Sequence, residues 1–358
     1  MKTILATLPA APSSSSPAPS FCGTEEGSKI WYNTSDPGAM VLSGIVWILI
    51  LFSVVVCVQV VLLHPQEPRA NIYLSYGVIS LCFMGWLSHA VCMLSDPGIV
   101  PSDAKPLPKT SSSFRCYNKD ELVHDYLDNN SIFGGNESHD DVTKKDIYSM
   151  IQGSSGSGSG SGSGSSLPST ISGDEEDLCE HLQHLVCGMC DSYKPPFAHH
   201  DRMSGRCISR MDHFCPWTNN AIGAKNQKSF ILFIAYTDLA SLLFCLILYN
   251  NWISCSSVSC SEDPRHRKIL LVQMIILLFS VVFTTSMLVT QIYNLMTGVG
   301  TIDRMQMRKN QADVFQPIPF NHVFGDEAPY RWFIPTEPRF ENVETVLLYR
   351  RTLSGLQL

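Results

Sequence analysis

Residues 187–223 read CGMCDSYKPPFAHHDRMSGRCISRMDHFCPWTNNAIG, and this stretch decides how the rest of the chain is read. It gathers Cys187, Cys190, His199, His200, Cys207, Asp212, His213 and Cys215 into one short, polar segment. Cys187-x-x-Cys190 has the spacing of a zinc knuckle, and His200 and Cys207 follow at distances that close one tetrahedral site. A segment with so few apolar residues needs a metal to hold its shape. Cys215 falls outside that set of four. His213 can take its thiol proton, and Asp212 can hold His213 in one tautomer and stabilise the imidazolium, which is the logic of nucleophilic catalysis. A nearby imidazolium also raises the thiolate fraction. The spacing alone leaves Cys215 open as another structural ligand.

An apolar run, Phe230–Tyr249, begins shortly after Cys215, so the thiol lies close to a bilayer surface. A thiolate there suits transfer of a lipid group, and Trp217 is a ring suited to the membrane interface. Three further runs are long enough to span: Val41–Leu63, Ile72–Leu94 and Ile269–Met296. His89 lies within the second run and Asp238 within the third. His89 reads either as a functional group in the bilayer or as a histidine bonded to a neighbouring helix. Two ionisable groups are too few for a channel or transporter pathway. Asp96-Pro97-Gly98 stops the second helix, because proline cannot continue it.

Lys and Arg number 2 in residues 1–40, 12 in 95–229 and 7 in 297–358, against 1 in 64–71 and 3 in 250–268. This bias places both termini and the long loop in the cytosol. The sequons at Asn33, Asn129 and Asn136 then stay unmodified, while Cys255 and Cys260 face the oxidising side and are free to pair or not. The net charge of −7 gives no case for nucleic-acid binding. The 13 cysteines do not form a secreted disulfide pattern, since Cys57, Cys82, Cys92 and Cys245 lie in apolar runs.

The expected architecture is an all-α integral membrane protein. Four transmembrane helices carry a small zinc-binding Cys-rich domain in the cytosolic loop between helices 2 and 3. In order these are a disordered tail (1–40), helices 1 and 2 (41–94), a low-complexity linker (95–178), the Cys-rich domain (179–229), helices 3 and 4 with a lumenal loop (230–296), and a cytosolic C-terminal tail (297–358). The Ser- and Pro-rich start lacks acidic residues, as transit peptides do, but it also lacks Arg. The linker holds a Gly-Ser alternation, flexible or artificial, an acidic run at 174–177, and short helical patterns at 120–127 and 142–150.

These features resemble the Asp-His-His-Cys family of protein S-acyltransferases. The likeness runs through the four-span layout, Asp96-Pro97-Gly98, the whole 187–223 stretch and parts of the tail. It implies an acyl-CoA, palmitoyl-CoA above all, as donor, and cysteines of membrane-associated proteins as acceptors. It implies catalytic roles for Cys215, His213 and Asp212, and contacts from Lys194 and His199 to CoA phosphates. Arg206 and Arg210 are phosphate candidates from charge alone. It also implies an endomembrane location (Golgi, endoplasmic reticulum or plasma membrane) among membrane lipids, with the acyl chain among the four helices. Family members carry two zinc sites. Cys187, Cys190, His200 and Cys207 match the first. Asp201, Ser204, Phe214 and Ala221 stand at the second, where Phe and Ala cannot ligate, so one zinc per chain is expected. Cys179, His181 and His184 are the alternative source of a rebuilt site. The central motif is therefore Asp212-His213-Phe214-Cys215, with Phe214 packed where a metal would have been. In the tail, Gly300-Thr301-Ile302-Asp303 stands where the family has Thr-Thr-x-Glu, and Thr301 is expected to hydrogen-bond near Asp212. Val323-Phe324-Gly325 matches the end of the family's tail motif, with Pro319 at its usual Asn. A non-catalytic zinc-bearing membrane adaptor is the rival reading.

Overall fold

The computed structural model describes residues 22–24, 30–59, 69–107, 186–257, 264–306 and 317–351. The Gly-Ser alternation, the acidic run, the two short helical patterns, Cys179, His181, His184, Asn129, Asn136 and the proposed Cys255–Cys260 pairing lie outside what is described.

Four long helices carry the fold: α1 (Pro37–Cys57), α2 (Arg69–Leu94), α3 (Gln227–Ser257) and α4 (Pro264–Thr297). Each is long and apolar enough to cross a membrane, and the protein is an integral membrane protein. α1 starts where the sequence supplies both a cap and a pre-set φ: the Asp36 carboxylate accepts from Ala39 N at 3.1 Å, with Pro37 at the first turn. α3 starts before the expected apolar run, so Lys228 sits inside it and donates to the Arg331 carbonyl at 3.0 Å. α3 packs along α2 on one side and α4 on the other, while α1 leans on α2. Val56, Cys57, Val78, Phe244, Ile247 and Leu277 fill the end of the bundle away from the Cys-rich module.

The described part of the Cys-rich module is built from three antiparallel hairpins. They are β3 (Val186–Cys187) with β4 (Ser192–Tyr193), β5 (His199–Asp201) with β6 (Arg206–Ile208), and β7 (His213–Cys215) with β8 (Asn220–Ile222). The expectation of helices alone is met in the membrane, and the module adds these short strands. Runs of two or three residues carry no periodicity to read; metal spacing and turn residues make them.

Two segments expected to be featureless are ordered against this module. The tail, expected to be disordered through residue 40, is in place from Ile30, because Trp31 is buried and its indole donates to Asn220 Oδ1 at 2.8 Å. Asn33 is buried as well, and its carbonyl accepts from Asn219, which leaves no room for a glycan. The start of the linker is a strap. Asp96 accepts from the Gly98 and Ile99 amides, Gly98 O accepts from Ser209 N, and Val100 N donates to Cys207 O. The strap lies so close that a Cβ at Gly223 would stand 2.5 Å from the Pro97 carbonyl oxygen. Farther along, the helix Val343–Leu347 and Tyr349 close over the same module. The Leu347 carbonyl accepts from Ser209 Oγ, and Tyr349 donates to the Ile99 carbonyl.

Candidate active site

The residues matching the first metal site converge. Cys187 and Cys190 bracket the β3–β4 turn, and His200 faces Cys207 across the second hairpin. Their ligand atoms all lie within 4.8 Å of one another. Cys190 Sγ is 3.2 Å from His200 Nδ1 and 3.8 Å from Cys207 Sγ. A tetrahedron with metal–sulfur bonds of about 2.3 Å has edges of about 3.8 Å, so the donor set is of the kind and size that suits zinc.

The positions matching the family's second site are engaged otherwise. Phe214 and Ala221 face each other across β7 and β8. Both pack with Ile208, Met211 and Ile302 in one apolar cluster. Asp201 is buried and turns its carboxylate onto the Met203 and Ser204 amides, at 3.3 and 2.9 Å. Among the described residues, the four ligands of the first site form the only metal-type cluster.

The third hairpin holds His213 and Cys215, with Asp212 just before it. Its strands begin and end with His213 and Cys215 on β7, opposite Ile222 and Asn220. His213 Nδ1 lies 2.8 Å from Asp212 Oδ2. That leaves Nε2 for Cys215, whose thiol shares a side-chain hydrogen bond with His213. Asp212 is buried and heavily held. Oδ2 also accepts from Gln291 Nε2 at 2.8 Å, and Oδ1 accepts from Asn294 Nδ2 at 2.9 Å and from the Thr301 amide at 2.7 Å. Thr301 thus reaches Asp212 through its backbone, while its hydroxyl accepts from Asn294. Arg304 closes the network by donating to Asn294 Oδ1.

This arrangement sets the protonation states. Burial alone would push Asp212 up, but His213 through its hydrogen bond and charge, then Thr301 and Gln291, bring it down to about 2. Burial would lower His213, yet the Asp212 and Cys215 hydrogen bonds and charges raise it to about 9. Burial would raise Cys215, but His213 by hydrogen bond and charge, and Thr218 through its hydroxyl and amide, bring the thiol below its ordinary value. All three shifts favour a thiolate–imidazolium pair at neutral pH. The thiol sits in a bed of Cys92, Ile222, Phe230, Phe233 and Ile234. Trp217 packs edge-on to Phe283 of α4, at the mouth of the helix bundle.

The residues matched to CoA binding are more dispersed. His199 Nε2 lies 2.7 Å from Asp303 Oδ1, in the segment that follows α4. Lys194 stands directly after β4, half-exposed. Arg206 faces Asp201 across the second hairpin. Arg210 points into the tail, donating to the His322 carbonyl at 3.3 Å, and burial draws its pKa down to about 10.

With this geometry in place, comparison with known proteins is direct. Residues 180–308 match the family described as DHHC palmitoyltransferase. It is this stretch, from the Cys-rich module through α4, that is similar to the DHHC palmitoyltransferase family. Palmitoyltransferase ZDHHC3-A of Danio rerio is 26% identical over 87% of this chain and 80% of its own length. Palmitoyltransferase ZDHHC3 of Homo sapiens is 34% identical over 42% of this chain and 52% of its own. Probable protein S-acyltransferase 13 of Arabidopsis thaliana is 30% identical over 42% of this chain and 51% of its own. The match thus spans about half the length of the human and plant relatives.

Several functional residues escaped the sequence reading. Gln291 and Asn294 are polar residues three apart near the end of an apolar span, on one helix face, and that pattern was the available signal. Asn220 lies in the 187–223 stretch, but its residue type carries no signal of its role. It sits opposite Cys215 and donates to both the Cys92 and Ser95 carbonyls at 2.9 Å, which fixes the hairpin to the end of α2. Nothing in the N-terminal composition pointed to Trp31.

Proposed function

We propose that this protein is an S-acyltransferase that moves a long-chain acyl group, palmitoyl above all, from acyl-CoA to cysteine thiols of membrane-associated proteins through an acyl-Cys215 intermediate. The observation that carries the reading is the Asp212–His213–Cys215 relay at the mouth of a four-helix membrane bundle, with Asp212 fixed by three donors from the end of α4 and the residues after it.

The Cys215 thiolate attacks the thioester carbonyl of acyl-CoA. CoA leaves as a thiol after taking the proton from His213. The acceptor protein's thiol then gives its proton to His213 and attacks acyl-Cys215, which departs as thiolate. Asp212 keeps the His213 proton on Nδ1 and balances the imidazolium. General acid–base help of this kind contributes about 10²–10⁴ in rate. Cys187, Cys190, His200 and Cys207 would hold one zinc ion, which supplies structural rigidity to the module and no chemistry to the transfer. Lys194 is the cation we assign to CoA phosphates; His199 would have to share its imidazole with Asp303. Both termini and the active site face the cytosol in this reading, within the endomembrane system.

The rival reading, a non-catalytic zinc-bearing adaptor, draws on the missing ligands at residues 201, 204, 214 and 221 and on Gly300. Against it stands a buried charge relay, which is expensive to keep without chemistry to perform. Labelled palmitoyl-CoA separates the two. A hydroxylamine-sensitive label on wild-type protein that disappears in Cys215→Ser supports the enzyme, and an unlabelled wild type rejects it.

A further inference from the structure

His89 of α2 is fully buried and bonded at both ring nitrogens. Trp47 Nε1 of α1 lies 2.8 Å from Nδ1, and the Trp217 carbonyl oxygen lies 2.8 Å from Nε2. An indole N–H only donates and a carbonyl only accepts. Nδ1 must therefore be the acceptor and Nε2 must carry the proton. The imidazole is neutral in one tautomer, and the chain of bonds runs in one direction from Trp47 through His89 to Trp217. A protonated ring would set two N–H groups against each other at Nδ1. The ring is also wedged edge-on against Phe233, with 4.9 Å between centroids, and Phe233 belongs to the bed around Cys215.

The Trp217 carbonyl and the Thr218 amide belong to one planar peptide unit. Its amide end faces Cys215: Thr218 N lies 3.2 Å from the Cys215 carbonyl oxygen, and the Thr218 hydroxyl 3.3 Å from the same atom. Fixing the oxygen of this plane fixes the direction of its N–H. We infer that His89 is a positioning residue for the transfer reaction, holding the 217–218 peptide so that the Thr218 amide and hydroxyl stay on the Cys215 carbonyl and keep the turn from which the Cys215 thiol projects. The inference builds on the acyltransferase reading for its purpose, but the geometry is independent of it. It agrees with the direction of the Cys215 shift, to which the Thr218 amide and hydroxyl both contribute. The titratable groups that face the thiol are His213 and Cys92, whereas the two hydrogen bonds of the His89 ring go to Trp47 and Trp217.

The test uses the full-length protein in detergent and needs no acyl donor. The rate of Cys215 alkylation by iodoacetamide, located by peptide mass spectrometry, is followed against pH for wild type, His89→Phe and His89→Gln. Bound zinc is measured in each. Phe keeps a ring but loses both bonds, whereas Gln keeps a donor where Nε2 stood and an acceptor for Trp47. The expected result is an alkylation profile displaced about one unit toward higher pH in His89→Phe. Zinc content should be unchanged, and Gln should recover most of the loss. Single-turnover acylation by palmitoyl-CoA should fall in maximal rate with little change in the half-saturating concentration. A wild-type alkylation profile in His89→Phe, a Gln variant as poor as Phe, or loss of zinc in both variants would overturn the inference. A wild type that alkylates normally but takes no acyl label would sink the acyltransferase reading and leave the positioning role standing.

Discussion

Phe214→Ala tests whether packing has replaced a metal in the catalytic hairpin. Phe214 is half-buried against Ile208, Met211, Ala221 and Ile302. Full burial of a Phe makes its removal cost about 3–5 kcal/mol. Half-burial places Phe214 nearer 2 kcal/mol, at about 25 cal/mol per Å² of apolar surface. The side chains flanking it in β7 are His213 and Cys215, on the opposite face of the strand, so loosening this face lets the relay drift. The first metal site lies on the two preceding hairpins and should keep its ion. The expected outcome is an unchanged zinc content, together with Cys215 alkylation and palmitoyl-CoA autoacylation both slowed by about tenfold or more, since misplacement of about 1 Å can cost about 100-fold. Phe214→Leu, which retains most of the apolar volume, should stay within a few-fold of wild type. Wild-type rates in Phe214→Ala would refute the argument that this cluster does the positional work of a second metal. Simultaneous loss of zinc would show instead that the two halves of the module do not separate.

Asp212→Asn keeps the shape but removes the charge, and autoacylation should fall by about 10²–10⁴-fold with half-saturating acyl-CoA nearly constant. The His213 pKa is raised to about 9, so its ion pair stabilises the fold fully below the ordinary histidine value and that contribution fades as pH rises through about 9. Asp212, held at about 2, contributes above the ordinary carboxylate range and loses its share only as pH falls toward 2. Thermal unfolding of wild type and His213→Ala between pH 6 and pH 10 should therefore converge at the alkaline end. A tight chelator should extract one zinc per chain and abolish autoacylation, with metal analysis by mass spectrometry as the check; two ions per chain would contradict the single-site reading. Lys225→Ala removes only a partly exposed ion pair to Asp96 and should cost less than about 1 kcal/mol. Asp96→Ala also strips the Gly98 and Ile99 amides of their acceptor and should cost clearly more in the same unfolding assay.

What the sequence disclosed follows the strength of the physical constraint behind each element. A bilayer demands about 20 apolar residues in a row, so all four spans could be read from Val41, Ile72, Phe230 and Ile269 onward, with errors only at their ends. Metal coordination demands particular residue types at short spacing, and Cys187, Cys190, His200 and Cys207 meet as that demand requires. The apolar filling around Phe214 was legible for the converse reason, since Phe and Ala cannot ligate. Thr301 was expected near Asp212 from the resemblance, and its amide does reach the carboxylate. The other supports were not legible, because they come from far along the chain: Gln291 reaches Asp212 across 79 positions and Trp31 reaches Asn220 across 189. His89 could be read in two ways; the structure bonds one ring nitrogen to Trp47 of a neighbouring helix and the other to the Trp217 carbonyl, in the hairpin that carries Cys215.

The supports of Asp212 also set an order of events during synthesis. Gln291, Asn294 and Thr301 leave the ribosome 79 to 89 residues after Asp212. At roughly 5–20 residues per second that delay lasts about 4–20 s. During that interval the nascent chain holds a cysteine whose acid–base partner is not yet anchored. The last helix to enter the membrane completes the site, so a chain stalled or misinserted before α4 carries the thiol without the means to aim it. The fold thereby ties completion of the Asp212 anchorage to insertion of α4.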